Sequence, residues 1–174
     1  MADEFDKLVE EFRKLGVPRP ESWASSQVKE GIPQLQRARV LYNLWATVVA
    51  HSDLGWIEKA REQFSLSEAR LPGLGQVSAP HVPVIDRMLN AGISADDLTT
   101  LVREMQTTLL FANCVFLDGS SGSQPEADGT CVGLFEVDAE NRPVRPIQAL
   151  HESFFRFDHE LETRKAAGPK RNAH

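Results

Sequence analysis

The segment Ser94–Leu117, with the sequence SADDLTTLVREMQTTLLFANCVFL, decides the predicted fold. Ser94 and Asp97 have the spacing of a capping box, in which two side chains satisfy backbone N–H groups at a helix start. Behind this cap, apolar residues recur at the spacing of one helix face: Leu98, Leu101, Val102, Met105, Leu109, Ala112 and Phe116. Polar residues fall on the other side: Arg103, Glu104, Gln106 and Thr107. The pattern predicts a core helix that buries its apolar face, including Leu109.

The same helical spacing recurs on both sides of this segment. Glycine and proline mark where the helices begin and end, because proline suits a first helical turn and glycine a helix end. We predict further helices at residues 3–15, 21–30, 33–50, 53–64, 83–91 and 146–164. Trp23, Trp45 and Trp56 lie on these helices and are predicted to pack in the core. The predicted fold class is therefore mainly α.

The composition changes between the long helix and the last one. Residues 118–130 are rich in Gly, Ser and Asp, which predicts a mobile loop. Residues 131–138 have strand-like composition, and the return segment contains Pro143 and Pro146, which a strand tolerates only at an edge. We predict one small β-hairpin or extended arm over residues 131–147, directly before the C-terminal helix.

Length and composition predict one domain. The chain has 174 residues, of which 41% are hydrophobic and 25% are charged, as is ordinary for a globular protein. We therefore expect a single compact helical domain of five to seven helices over residues 1–165, followed by a flexible tail over residues 166–174.

The charge distribution argues against nucleic acid as a partner. The formal net charge is −6, and the last eleven positions hold four of the nineteen basic residues: Arg164, Lys165, Lys170 and Arg171. The rest of the chain is more acidic still, whereas phosphate binding needs a clustered basic surface. No signal-peptide pattern is present, and the longest apolar runs fall short of the ~20 residues that cross a bilayer. We expect no membrane association and a cytoplasmic location.

The neighbouring residues and the spacing of the cysteines argue against the candidate catalytic and metal-binding motifs. Residues 129–133, GTCVG, fit the G-x-nucleophile-x-G pattern, but the residues after Cys131 resemble a strand where that motif needs a helix. Cys114 and Cys131 lack CxxC spacing, which argues against a zinc site, and we expect both to be buried, reduced thiols. The sequence predicts no catalytic residue, no metal and no cofactor.

A mixed stripe on the predicted last helix is the strongest candidate site. At 100° per residue, one side of that helix carries His151, Phe155, Asp158 and Glu162. The carboxylates of Asp158 and Glu162 lie one turn apart and repel unless a cation, an internal arginine or a basic partner group lies between them. The stripe fits a solvated edge, an arginine-pairing or partner-binding surface, or part of a metal or acid–base site.

Two functional hypotheses follow. The leading one is an acidic protein-binding module of bacterial immunity, antitoxin or adaptor type, monomeric or homodimeric, which binds a basic protein partner through this stripe. The alternative is an enzyme or a small-molecule or metal-binding protein, with a site assembled from His81, Asp86, His151 and Asp158. A concave pocket with converging His and carboxylate groups would favour the alternative.

Overall fold

Helices make up most of the described chain. The computed structural model describes residues 2–51, 53–70, 80–119 and 133–158. Within these residues the helices are α1 Ala2–Lys14, α2 Pro20–Glu30, α3 Gln34–Trp45, α4 Trp56–Arg70, α5 His81–Asn90, α6 Ala95–Leu117 and α7 Leu150–Ser153. A hairpin of β1 Leu134–Val137 and β2 Pro143–Ile147 precedes α7 in the chain. The predicted mainly α fold, with seven helices in the described residues and a hairpin before the last one, is confirmed.

The chain divides into two units. Unit 1 consists of Met1–Thr47 and Thr108–His174, and unit 2 consists of Val48–Thr107. The predicted domain limit at residue 165 and the predicted tail 166–174 lie outside the described residues, as do residues 120–130 of the predicted mobile loop.

Aromatic side chains form the centre of unit 1. Trp23 packs against Phe12 at a ring-centroid distance of 5.9 Å and against Phe157 at 5.8 Å. The Trp45 indole N–H donates to the carbonyl of Phe154 over 2.7 Å, and their rings lie 4.8 Å apart. These contacts hold the end of the described chain against α2 and α3, and they confirm the predicted core role of Trp23 and Trp45.

The predicted long C-terminal helix is wrong within the described residues. Residues 146 and 147 belong to β2, and α7 begins only after Ala149, whose φ of 58° is left-handed. A 3₁₀ helix, Phe154–Phe157, then follows α7, and Asp158 leaves the helical region at φ −78° and ψ 87°. A 3₁₀ helix aligns residues three apart, so Phe154 and Phe157 both reach the core.

The hairpin is confirmed with its two prolines on one strand. β1 and β2 pair antiparallel, with Leu134 opposite Ile147 and Glu136 opposite Arg145. The last pair is also an ion pair, with 2.7 Å between the guanidinium and the carboxylate. At the turn, the Asp138 carboxylate accepts two backbone N–H groups, and these bonds hold its pKa below the ordinary value.

A small apolar cluster forms the core of unit 2. Ile57 of α4, Ile85 of α5 and Leu98 of α6 are buried together. One half of the predicted capping box is confirmed, because the Asp97 backbone N–H donates to the Ser94 hydroxyl over 3.0 Å. The Asp97 carboxylate accepts the Ser94 hydroxyl over 2.7 Å instead of a backbone N–H. This cap fixes where α6 begins.

The predicted orientation of α6 is wrong. Leu109 and Met105, expected in the core, are each 64% exposed, and Leu101 and Phe116 are also exposed. Buried residues on the opposite side include Thr99, Arg103 and Cys114. The helix therefore presents to solvent most of the apolar face that the sequence pattern assigned to the core.

Hydrogen bonds explain why polar residues of α6 are turned inward. The Arg103 guanidinium donates to the Val49 carbonyl over 2.8 Å, and the Gln106 side-chain oxygen accepts the Val49 N–H over 2.8 Å. Thr99 accepts the Trp56 indole N–H over 2.8 Å and donates to the carbonyl one turn earlier. A buried polar group with partners avoids a penalty of roughly 1–3 kcal/mol, so burying this side costs little.

Candidate functional site

The exposed apolar line on α6 is the most extended candidate site. Its members, which we call the α6 stripe, are Leu101, Met105, Leu109, Ala112 and Phe116, and all five are exposed. Steps of three and four residues place them on one side of the helix. Scattered exposed apolar residues are normal, whereas a contiguous line of them is a candidate interaction surface.

The charges on α6 give this stripe an acidic border. Asp97 and Glu104 are exposed and lie one turn before and after Leu101, beside the stripe. The only basic residue of the helix is Arg103, which is 5% exposed and points to the opposite side. The solvent-facing side of α6 is therefore apolar along its middle and negative along one edge.

A buried carboxylate orients a histidine in unit 1. Asp118, just after α6, accepts the backbone N–H of His151 over 2.9 Å and contacts its Nδ1 over 2.6 Å. The Asp118 side chain is 2% exposed, whereas that of His151 is 28% exposed. The imidazole is thus fixed with part of its ring in solvent.

The nearby thiol does not complete a catalytic arrangement. Cys114 lies one turn before Asp118 on α6 and is buried. Burial and the Asp118 charge raise the pKa of this thiol to about 11, so it is protonated at neutral pH and a poor nucleophile. We therefore interpret the Asp118–His151 pair as a structural link between the end of α6 and α7.

A polar cavity in unit 1 brings together three parts of the chain. We call it the serine–arginine cavity; it has a volume of about 170 Å³ and is lined by Ser22, Trp23, Ser26, Gln34, Arg37, Ser153 and Arg156. α2 and α3 supply the first five of these residues, and α7 with the following 3₁₀ helix supplies the last two. The lining is dominated by hydrogen-bond donors.

Unit 2 contains a different, mainly apolar cavity. It has a volume of about 420 Å³ and is lined by Val49, Trp56, His81, Val84, Ile85, Val102 and Gln106. Among the described residues, His81 and Gln106 are the strongly polar side chains of its lining, and Gln106 already accepts the Val49 N–H. The described lining therefore does not bring His and carboxylate groups together as an acid–base site needs.

The residues of the alternative site divide between the two units. His81 and Asp86 belong to unit 2, where the Arg61 Nε donates to the Asp86 carboxylate over 3.0 Å. His151 and Asp158 belong to unit 1. Among the residues that the structure describes, no three His, Cys, Asp or Glu side chains are grouped to hold a metal ion.

The predicted partner-binding stripe is only partly available to a partner. Phe155 is half-exposed and stacks on Phe111 at a centroid distance of 5.4 Å. His151 is engaged by Asp118, and Asp158 is buried at 7% exposure. Glu162 lies outside the described residues. Since the regular helix ends at Ser153, these side chains do not follow the single helical stripe that their spacing suggested.

Sequence reasoning missed the residues that define the structure's own polar sites: Arg37, Asp118, Ser153 and Arg156. The position of Arg37 gave one signal, because it lies next to the apolar face of α3 that is buried, one turn after Gln34. A charged residue at that border can turn its side chain inward. Asp118 carried no such signal, since its position suggested a loop residue and its partner is 33 residues away.

Comparison with protein-family models, curated proteins and solved structures finds no match to this chain. In the described part of the chain, no helix has the length and apolar character needed to cross a bilayer.

Proposed function

We propose that the protein is a binding module, of the immunity, antitoxin or adaptor class, that holds a basic protein partner on the α6 stripe. The observation that carries this proposal is the exposure of large apolar side chains at regular helical spacing on one side of α6. Helix-mediated recognition uses anchors at this same spacing, set into a groove or against a second helix.

The exposed apolar surface supplies a reason to bind. Full burial of a Leu, Met or Phe side chain contributes about 1.5–3 kcal/mol relative to exposure. Leu101, Met105, Leu109 and Phe116 are each about half to two-thirds exposed. A partner that covers them would therefore recover roughly 1 kcal/mol from each, before the costs of association.

Charge favours a basic partner over an acidic one. The exposed carboxylates of Asp97 and Glu104 border the stripe, α6 exposes no cation, and the chain carries a net charge of −6. Such a border attracts Lys and Arg side chains, speeds encounter and disfavours acidic proteins. The expected partner surface has an apolar centre and basic residues at its edge.

Site-specific photo-crosslinking in cells of the source organism tests this proposal. A benzophenone side chain replaces Leu109 in one variant and Leu66 in the control. Leu66 is a matched control, because it is an exposed leucine, at 58%, on α4 rather than on the stripe. The proposal predicts a discrete adduct with a basic protein from position 109 and not from position 66. The same adducts from both positions, or an adduct from position 109 with a second copy of this chain only, would overturn it.

A further inference from the structure

We infer that the serine–arginine cavity binds a phosphate-type oxyanion, either free phosphate or the phosphate group of a monoester. This site is separate from the α6 stripe and does not depend on the proposed function. The inference starts from the convergence of guanidinium, hydroxyl and amide groups on one cavity.

Three elements present their polar residues to the same space. Ser22 and Ser26 lie one turn apart on α2, and Gln34 and Arg37 lie one turn apart on α3. Ser153 and Arg156 come from the end of the described chain, completing the lining. The cavity of about 170 Å³ exceeds the roughly 30 Å³ that one water occupies in the liquid, so a tetrahedral anion has room.

Several polar groups of the cavity have no protein partner in the described residues. The buried Nε of Arg37 and the buried side-chain oxygen of Gln34 make no hydrogen bond there. Neither Arg37 nor Arg156 lies within ion-pair distance of a described carboxylate, unlike Arg13, Arg39, Arg61, Arg142 and Arg145. A buried donor without a partner, such as the Arg37 Nε–H, costs free energy, and an anion that accepts from it would remove that cost.

The side-chain oxygen of Gln34 fits a protonated phosphate. Its nitrogen donates to the Ser26 hydroxyl over 2.8 Å, while that hydroxyl donates to Glu30 over 3.1 Å. With the oxygen toward the cavity, Gln34 accepts the hydroxyl of a protonated phosphate.

The positive charge of Arg37 is not fully compensated by its neighbours. Burial lowers the pKa of Arg37, and the charge of Arg156 lowers it further, while Asp118 and Glu152 raise it without restoring the ordinary value. His151 engages Oδ2 of Asp118, whereas Oδ1 of the same carboxylate is buried without a hydrogen bond in the described residues. An anion between the two guanidinium groups would offset both burial and their mutual repulsion.

The number of donors selects phosphate over a carboxylate. A carboxylate offers two oxygens, whereas a phosphate offers up to four and accepts paired N–H groups from guanidinium in a fixed geometry. Two guanidinium groups together with the Ser22 and Ser153 hydroxyls offer more donors than one carboxylate can accept.

Calorimetric titration of the full chain with inorganic phosphate, phenyl phosphate, sulfate and acetate tests the inference. We expect saturable 1:1 binding of phosphate or phenyl phosphate at about millimolar concentration or below, and weaker binding of acetate. Tighter binding of phenyl phosphate would identify a monoester as the source, and tighter binding of phosphate would identify the free ion. No saturable binding, or acetate binding as tightly as phosphate, would overturn the inference.

Two variants that each remove one positive charge distinguish a specific anion site from nonspecific attraction of anions to the protein surface. Arg156→Gln should weaken binding by about tenfold or more, because it removes charge-assisted hydrogen bonds. Arg39→Gln is the matched control, since Arg39 is an exposed arginine of unit 1 that pairs with Glu11 and does not line the cavity. It should leave binding within about twofold. Equal losses in both variants, with unchanged circular dichroism, would show surface attraction only and refute the site.

Discussion

Replacing Leu109 with Ala measures directly which side of α6 is buried. At 64% exposure, Leu109 buries only about a third of its surface. Full burial of Leu contributes about 1.5–3 kcal/mol, so the change should lower the free energy of unfolding by at most about 1 kcal/mol. No enclosed cavity forms at an exposed position, which removes the second term that makes core substitutions costly.

Leu41→Ala is the internal standard for this measurement. Leu41 is fully buried on α3 and belongs to the same unit as Leu109. Its truncation should cost about 2–5 kcal/mol through lost burial and a residual cavity. Urea denaturation of both variants, followed by circular dichroism and by tryptophan fluorescence, gives the two costs on one scale. A Leu109→Ala cost equal to that of Leu41→Ala would refute the orientation of α6 and with it the α6 stripe.

Further predictions concern groups inside each unit. Trp45→Phe removes the hydrogen bond to Phe154 and should cost about 0.5–1.5 kcal/mol in urea denaturation; no change would show that this bond does not hold the 3₁₀ helix in place. Arg103→Met leaves the Val49 carbonyl without this donor and should destabilise the protein more than Arg142→Met at the exposed hairpin turn. Because folding raises the pKa of Cys114 from 9.0 to about 11, the unfolded state loses this proton first, so stability should fall as pH rises through that interval. Cys114→Ala should remove that part of the alkaline decline, and an identical decline in the variant would contradict the assigned pKa.

Local signals predicted α1, α2, α5 and α6 to within two residues at each end, but not the ends of α3 and α4 or the C-terminal helix. Gly16 and Gly31, each with positive φ, end α1 and α2 close to the predicted residues, and Ser94 caps α6 as expected. The two prolines of the return segment lie in β2. In a two-stranded hairpin each strand is an edge strand, and an edge strand tolerates proline, which has no backbone N–H to donate. These features depend on a few neighbouring residues, which is why the sequence alone determines them.

The burial of α6 could not be predicted in the same way. The helix carries apolar residues on both sides, so periodicity alone does not decide which side is buried. Arg103 and Thr99 lie inside because Val49 and Trp56, about 40 to 60 residues earlier in the chain, supply hydrogen bonds to the helix. A pattern based on polarity treats such residues as solvent-facing.

The candidate sites depend on similar long-range contacts. Asp118 was expected to open a mobile loop, yet it is buried against His151. The serine–arginine cavity needs α2, α3 and the end of the described chain together, and no local motif encodes that meeting. By contrast, the acidic character that suggested a basic partner is a property of composition, and it remains part of the proposal.

The affinity of the crosslinked partner for two glutamate variants shows whether the α6 stripe is the surface that binds a basic partner. Leu109→Glu and Leu66→Glu add the same charge at similarly exposed leucines, so attraction to a basic partner alone would strengthen both complexes. We expect Leu109→Glu to raise the Kd at least about tenfold, equivalent to 1.4 kcal/mol, because a charge enters the apolar centre of the interface. Leu66→Glu should leave the Kd unchanged or slightly lower. Equal Kd values for the two variants would contradict it.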